Sequence, residues 1–452
     1  MLNKEKALKS EREIFSSRFG VLMTMIGVAV GLGNVWRFPY MVGKFGGASF
    51  VIFYLFSVFI VGIPALMAEW VLGRHTRRGT FGAFEKGGLP GGKYVGIFLF
   101  FVVLCATAYY SNAVGWVGYH GISCIVNLFG GHMEPELILP PDQGFMEGSF
   151  FRQLAMTGGV ILVSAVVLLR GLRKGIEKVS KFVMPVLFGI LVILIIRAVT
   201  LPGALAGLKW YIGDFSFKNL TSPVMAASFG HAIFSLSLGG TFMVIYGSYL
   251  DKSTPIPRNA VFTGLGDLLA GLLAGFAIFP AVFAFGLAPG SGPVLIFSTL
   301  PKTFSAMPAG HLFGLLFFLG LFLAAYLSDV AAFEVLIGGL TDNTRISRKH
   351  AVWLICGIVM VLAIPTMINL KIFVPWDLLF GSGMQTLGCV LAVITAMWCI
   401  KRSEALKELS QGSARPFPLF LFCWMRIVIP LAVVFIGLNW LLESVFHINI
   451  FK

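Results

Sequence analysis

The chain has 452 residues, of which 57% are hydrophobic and 14% aromatic, and only 12% carry a charge. A soluble domain normally has a charged fraction near a quarter, so this composition excludes a water-soluble globular protein. Apolar runs of about 20 residues recur along the chain, which is the length a helix needs to cross the hydrocarbon core of a bilayer. The sequence therefore predicts an all-α polytopic membrane protein.

Eleven spans are predicted, near residues 20–42, 50–72, 94–128, 155–170, 182–200, 223–250, 259–288, 310–341, 350–369, 374–400 and 416–445. The net charge of +14 is distributed along this pattern. The segment before span 1 and the loops after spans 2, 4, 6, 8 and 10 are rich in Lys and Arg, whereas the loop near 132–147 is acidic. Short basic loops stay in the cytoplasm. The excess of positive charge thus indicates membrane topology and not nucleic-acid binding, with the N-terminus cytoplasmic and the C-terminus extracellular or periplasmic.

Span 1 contains an interruption, "GVAVGLGNVWRFPY", from Gly27 to Tyr40. A charge such as Arg37 is costly at membrane depth unless it faces water or a partner. Backbone that leaves helical geometry there persists only where it lines a cavity. The alternative interpretation is close helix packing, because "GVAVG" is also a GxxxG motif.

A second interruption, "GHAIFSLSLGGTF", lies in span 6 from Gly230 to Phe242. Paired interruptions five spans apart are typical of transporters with inverted repeats and a binding site at the midplane. We therefore predict an inverted five-helix repeat, spans 1–5 and 6–10, with unwound spans 1 and 6 and an additional eleventh span.

This prediction divides the chain into five parts. They are a cytoplasmic N-terminal segment (1–19), the first repeat (20–200), an extracellular loop (201–222), the second repeat (223–400), and a cytoplasmic loop, span 11 and an extracellular C-terminus (401–452). The charged first 18 residues show no cleavable signal sequence. The predicted location is the inner (plasma) membrane.

Three acidic residues lie within or at the end of apolar spans: Glu69, Asp267 and Asp329. Such residues can be structural hydrogen-bonding partners. Together with Asn34 and nearby hydroxyls they are also typical of an oxygen-ligand site for a hard cation or of a proton relay. The six cysteines have no CxxC spacing and are interpreted as structural thiols.

Several motifs, taken together, resemble the neurotransmitter:sodium symporter family. They are "VGLGNVWRFPY" in span 1, "GIPALMAEWVLGR" in span 2, "AYYSNAVGW" in span 3, "IFSLSLGG" in span 6 and "GLTDNTRISRKHAV" after span 8. The resemblance covers nearly the whole chain. The family's inverted-repeat architecture is implied by it, and eleven spans in place of the usual twelve resemble certain bacterial amino-acid transporters of the family.

The resemblance implies a first sodium site, formed by the carbonyl of Ala29 and the side chains of Asn34, Ser235 and Asp267. Many relatives have Asn in place of Asp267, and chloride-dependent relatives have a serine in place of Gly271. The acid supplies a negative charge of its own, so we expect chloride independence. His231 stands where a chloride-site glutamine often occurs, and we expect a packed, hydrogen-bonded histidine there.

A second sodium site is implied at the backbone oxygens of Gly27, Val30 and Ala324 and the hydroxyl of Ser328. One residue departs from the family pattern, because Leu327 replaces a usual Thr or Asp ligand. Either the site is one ligand short or the neighbouring Asp329 compensates. The expected cofactor is therefore Na⁺, one or two ions, with no organic cofactor.

The substrate implied by the resemblance is an amino acid, because Gly31 replaces the Asp with which monoamine carriers pair an amine. The expected substrate-binding residues are Ala29, Gly31, Gly33, Ala106, Tyr110, Phe234, Ser235, Ser237, Gly239, Gly240, Ser328, Asp329 and Ala332. Small residues at Ala106, Gly240 and Ala332 imply a roomy pocket for a large apolar or aromatic side chain. The alternative is a polar or cationic side chain that pairs with Asp329.

Two charged pairs resemble the gates of the family. Arg37 and Asp377 correspond to the outer pair, with Tyr110 and Phe234 as an aromatic lid. Arg12 and Asp342 correspond to the inner pair, near Tyr249 and Phe15. Charge pairs that form in only one state bias a conformational equilibrium.

The predicted function is sodium-coupled import of an amino acid by alternating access. Its partners are the small-molecule substrate and the lipid bilayer, with no nucleic acid and no obligate protein partner. Proton coupling through Asp267 or Asp329, a channel, and a non-transporting receptor remain alternatives. An enzyme is not expected, because the sequence has no HExxH, GxSxG or Cys/His cluster.

Overall fold

The computed structural model describes residues 13–289, 296–297, 300–305 and 308–444, and within these ranges the regular structure is helical. Helices lie at each of the eleven predicted spans. Their bounds are Arg18–Ala29 with Gly33–Lys44 (span 1), Ala48–Thr76 (span 2), Gly92–Leu128 (span 3), Glu147–Leu169 (span 4), Leu172–Val199 (span 5), Ser222–Ser235 with Phe242–Ser248 (span 6), Ile256–Ala284 (span 7), Gly310–Asn343 (span 8), Arg348–Met367 (span 9), Leu370–Cys399 (span 10) and Leu419–Ser444 (span 11).

Two of the eleven spans are broken, and they are the two that the sequence predicts. Among the described residues, nine continuous helices are long and apolar enough to cross a membrane, and the two halves of span 1, bent by 53°, make a tenth. Span 6 consists of two helices that are each too short to cross alone. Both breaks coincide with the glycine-rich stretches, where the backbone entropy cost of a helix is highest.

The position of each span in the bundle follows from its side chains. In spans 2, 7 and 8, 67% of the most apolar stretch is buried inside the protein, whereas the figure is 39% in spans 4 and 5 and 33% in span 11. Large apolar side chains on the outer spans, such as Phe182 and Leu162, are exposed. The outer spans therefore present their apolar faces to lipid, and the broken spans lie in the protected centre.

Shorter helices lie outside the spans, at Thr80–Lys86, Ala204–Leu208, Leu300–Ser305 and Arg402–Ser410. The last of them is tied to the end of span 2 by the buried Arg74, whose Nε donates to Glu408 Oε2 at 2.6 Å. The same guanidinium donates to the carbonyl of Thr254 at 2.6 Å. All six cysteines are free thiols.

Candidate substrate and sodium site

The break in span 1 exposes backbone groups that side chains then satisfy. The helix ends at Ala29, Val30 is extended (φ −72°, ψ 116°), and helical structure resumes at Gly33. The amide of Gly31 donates to Asn34 Oδ1 at 3.0 Å, and the amide of Leu32 donates to the Tyr110 hydroxyl at 3.2 Å. The break is therefore held open by hydrogen bonds, as buried backbone polar groups require.

The break in span 6 lies beside it and is joined to it. Ser237 and Thr241 are left-handed (φ 53° and 57°), as is Gly239 between them (φ 87°). The Ser237 hydroxyl donates to the carbonyl of Val28 in span 1 at 2.9 Å. The amide of Gly239 donates to Glu69 Oε1 at 2.7 Å, which gives this intramembrane acid a role at the break.

Three of the four residues expected at the first sodium site form one buried cluster. Asn34 Nδ2 donates to Asp267 Oδ1 at 2.7 Å and to Ser235 Oγ at 3.1 Å. Ser235 Oγ donates to Asp267 Oδ2 at 2.7 Å. Tyr54, which the sequence analysis did not single out, donates to Ser235 Oγ at 3.1 Å. Ala29, the fourth expected ligand, contributes the last residue of the helix before the break. A carboxylate, an amide, a hydroxyl and a carbonyl are the oxygen donors that a hard cation prefers.

A cavity of about 60 Å³ adjoins the two breaks. Ten of the expected substrate-binding residues line it: Ala29, Gly31, Gly33, Ala106, Tyr110, Phe234, Ser235, Ser237, Ser328 and Ala332. Four further lining residues were not predicted: Thr107, Tyr109, Phe242 and Gln385. Thr107 and Tyr109 lie beside the expected residues Ala106 and Tyr110 on the helix of span 3. This spacing was the one signal in the sequence that could have identified two of the four.

The other three expected residues, Gly239, Gly240 and Asp329, are not part of the wall.

Asp329 lies away from the cavity, contrary to the expectation that it contacts the substrate. Its carboxylate accepts hydrogen bonds from Ser111 in span 3 at 2.8 Å and from Ser164 in span 4 at 3.3 Å. The physical reason is helical geometry. Ser328 and Ala332 are four residues apart and share the face toward the cavity, whereas Asp329 is one residue further round the helix.

Gly240 does not enlarge the cavity, which corrects a second expectation. A Cβ atom on Gly240 would lie 2.3 Å from Cε2 of Phe242, so the Phe242 ring already occupies the space beside this glycine. The small residue at 240 is therefore compensated by a large one two positions later, and the cavity is not roomy at this point.

The second expected sodium site lacks one oxygen ligand and contains an apolar side chain in its place. The Ser328 hydroxyl donates directly to the carbonyl of Val30, at 3.1 Å. Leu327 is buried, and its Cδ1 is 2.9 Å from where a Cβ on Gly27 would lie. Ala324 is buried one turn earlier on span 8. Asp329 does not compensate, because its carboxylate is bonded to spans 3 and 4.

The charged residues of the expected outer gate contact two residues of the cavity wall, Phe234 and Tyr109. The Arg37 guanidinium carbon is 4.2 Å from the centroid of the Phe234 ring, and Arg37 interacts electrostatically with Asp377. Asp377 also accepts a hydrogen bond from Tyr109. Tyr109 therefore joins the cavity wall to this charged pair.

Of the expected inner gate, Arg12 lies outside the described residues. Asp342 Oδ2 accepts a hydrogen bond from the amide of Gly79 at 2.7 Å. Near Phe15, whose ring meets that of Tyr249 edge-on at 6.4 Å, there is a second polar group that the sequence analysis missed. Tyr249 donates to Glu334 Oε1 at 2.6 Å, and Arg348 donates to both oxygens of Glu334, at 3.1 and 2.6 Å.

His231 is packed as expected, but it is not hydrogen-bonded within the described part of the chain. Its ring stacks on Phe38 with centroids 5.7 Å apart and lies 5.0 Å from the ring of Tyr54. Neither ring nitrogen has a hydrogen-bonding partner among the described residues.

Two broken helices, a buried oxygen cluster between them and an adjoining cavity define an ion-coupled membrane carrier. The comparisons with known proteins identify its family. The chain belongs to the sodium:neurotransmitter symporter family, whose model matches residues 12–130 and 147–447. It is therefore a sodium-dependent symporter and not an enzyme.

Individual relatives agree with this assignment. A sodium-dependent transporter of Haemophilus influenzae, named as uncharacterized, is 33% identical, with 95% of this chain and 98% of the relative covered. A similarly named protein of Bacillus subtilis is 32% identical, with 94% and 97% covered. The crystal structure of MhsT in complex with L-phenylalanine matches with a TM-score of 0.81 and 31% identity, over 94% of this chain and 99% of MhsT. The fold is thus of the LeuT type, as the inverted-repeat prediction requires.

Proposed function

We propose that the protein imports a neutral amino acid together with sodium by alternating access, without a requirement for chloride. The observation that carries the proposal is the cluster of Asn34, Ser235 and Asp267, contributed by spans 1, 6 and 7, at the edge of the cavity. A sodium ion held there contacts both broken helices. MhsT, which was solved with L-phenylalanine, supports an amino acid as the substrate class.

The proposed substrate pose follows from the groups around the break in span 1. The substrate carboxylate meets the amides around Gly31 to Gly33, the Tyr110 hydroxyl and the sodium ion. Because the carboxylate completes the ligand shell of the ion, each raises the affinity for the other. The amino group meets the carbonyl groups freed at the breaks, near Ala29, Phe234 and Ser237.

Chloride independence rests on the charge of Asp267. The Asp267 carboxylate places a negative charge beside the sodium ion. In chloride-dependent relatives, a bound chloride ion supplies this charge. A side chain at Gly271 has space, since a Cβ there would lie 3.6 Å from the Phe38 ring. The absence of a hydroxyl at this position is consistent with a site that does not coordinate chloride.

We propose a single sodium ion per cycle. The second site offers Leu327 where a ligand is needed, and the Ser328 hydroxyl is already bonded to the Val30 carbonyl. Hard cations are held by oxygen and not by methyl groups. The direct hydrogen bond between spans 8 and 1 takes the place of the ion.

The orientation is also a proposal. The basic segment before span 1 and the basic alternate loops support a cytoplasmic N-terminus and an extracellular C-terminus. Reporter fusions at residue 452 and within the loop at 401–418 test it, and activity on the same side for both contradicts it.

The function is tested by the thermal stability of the purified protein against a panel of amino acids, in sodium and then in potassium. A ligand that binds only the native state raises apparent stability by mass action. We expect amino acids to stabilise the protein in sodium only, with chloride or gluconate as the anion. Uptake of a stabilising amino acid into proteoliposomes, driven by an inward sodium gradient, completes the test.

Proton coupling through Asp267 is the second candidate, because this carboxylate lies at the junction of the two breaks. Stabilisation that is equal in sodium and potassium, with uptake driven by a pH gradient, favours it over sodium coupling.

A further inference from the structure

One wall of the cavity is formed where span 10 crosses the break in span 6. A Cβ on Gly388 would lie 1.9 Å from the carbonyl oxygen of Gly239, and a Cβ on Gly239 would lie 1.7 Å from the carbonyl oxygen of Gln385. Only two glycines allow so close an approach of the backbones. The crossing brings the side chain of Gln385 to the cavity wall.

Gln385 stands next to the apolar surface of Phe242. The amide carbon of Gln385 is 3.5 Å from where a Cβ on Gly240 would lie, and the Phe242 ring is 2.3 Å from the same point. Both residues line the cavity. A ligand that reaches this wall therefore meets an aromatic ring and a primary amide side by side.

The Gln385 amide has unused hydrogen-bonding capacity. Within the described part of the chain, the Gln385 side chain has no hydrogen-bonding partner, although a primary amide offers two donors and an acceptor. Neighbouring hydroxyls already use their protons, since Thr107 donates to the Val103 carbonyl at 2.7 Å and Ser237 to the Val28 carbonyl at 2.9 Å. Donors for a substrate side chain thus come from Gln385, and acceptors from Gln385, Thr107 and Ser237.

No acidic or basic side chain is among the residues that line the cavity. Asp329, the expected partner for a cationic side chain, is bonded to Ser111 and Ser164 instead. A charged substrate side chain would remain without a counter-charge, which is costly in a buried site.

From these observations we infer that Gln385 is a specificity-determining residue, and that it selects a neutral amino acid of modest size whose side chain ends in an amide or a hydroxyl. The inference rests on the proposed amino-acid function and refines it. The cavity of about 60 Å³ has space for several water molecules, and the Phe242 ring limits the length of the side chain.

The test compares substrates of nearly equal shape, threonine with valine and asparagine with leucine, by competition against the uptake of a labelled substrate in sodium. We expect the polar member of each pair to bind about tenfold more tightly, the worth of one hydrogen bond to an otherwise unpaired polar group. Gln385→Met keeps the length of the side chain and removes its hydrogen bonds, so we expect it to reduce both ratios by about tenfold.

Thr386→Val is the matched control, because it removes a hydroxyl from the neighbouring residue, outside the cavity wall. It should leave both ratios unchanged. Gln385→Leu is the second variant, and sodium-dependent stabilisation by the preferred amino acid shows that each variant is folded.

The inference is overturned if the wild-type protein prefers valine to threonine and leucine to asparagine. It is also overturned if the two affinity ratios are the same in the wild type and in both Gln385 variants. These results leave the proposed function intact. By contrast, if no amino acid binds in sodium, the proposed function fails and the inference fails with it.

Discussion

In the proposed sodium site, Asp267 is the residue on which binding of the ion should depend most directly, and Asp267→Asn tests this. The substitution removes the negative charge and preserves the shape of the side chain. A unit charge 4 Å from a sodium ion contributes about 4 kcal/mol at an effective dielectric constant of about 20. Since 1.4 kcal/mol corresponds to tenfold in affinity, we expect sodium binding to weaken by up to about a thousandfold.

The assay is the sodium-dependent increase in unfolding free energy. At a sodium concentration of 100 times Kd, binding stabilises the native protein by about 2.7 kcal/mol. After a thousandfold loss of affinity, the same concentration contributes less than about 0.1 kcal/mol. The increment is measured and not the absolute stability, because removing a buried charge changes the stability of the ion-free protein as well.

Asp329→Asn is the matched control. Asp329 is as fully buried as Asp267 and, like it, accepts hydrogen bonds from two hydroxyl groups, but it does not line the cavity. We expect it to retain the sodium-dependent increment. If Asp267→Asn keeps the full increment, or if both variants lose it equally, the assignment of sodium to this cluster is refuted.

Three further predictions concern neighbouring features. Leu327→Thr adds an oxygen at the second site and should make sodium activation cooperative. Leu327→Val introduces the same shape without the hydroxyl and should not. Equal sodium activation curves for the two variants contradict the single-ion proposal. Tyr110→Phe removes the hydroxyl that accepts from the Leu32 amide, so substrate affinity should fall about tenfold in equilibrium binding, and an unchanged affinity argues against the proposed pose. Gly388→Ala should lower the unfolding free energy by at least about 2 kcal/mol in thermal or denaturant unfolding, because its Cβ overlaps the span 6 backbone. Gly357→Ala, with nothing within 4 Å of the added atom, should be tolerated, and equal losses for the two glycines refute the packing argument.

The spans and their breaks were predictable because they follow from local physics. Apolar runs determine where the chain crosses the membrane, and glycine-rich stretches indicate where a helix stops. The cluster of Asn34 and Asp267 was found through resemblance to known transporters. The Phe242 ring and the Gln385 amide were missed because their positions depend on how span 10 crosses span 6, which no local pattern specifies.

Asp329 shows the limit of reasoning from residue type. An acid in an apolar helix indicates a polar environment, but it does not say on which side of the helix that environment lies. Counting the helical turn from Ser328 and Ala332 would have placed Asp329 off the cavity face. Its partners, Ser111 and Ser164, belong to two other spans and could not be paired with it from the sequence.

The left-handed backbone at Ser237 and Thr241 has a thermodynamic consequence for substrate association. Each such residue costs about 1–3 kcal/mol and persists only where its surroundings hold it. Here the Ser237 hydroxyl is bonded to Val28, and the Thr241 hydroxyl lies 2.8 Å from that of Thr80. The strained loop is thus ordered before any ligand arrives, so an incoming substrate loses little affinity to the entropy of ordering its own binding site.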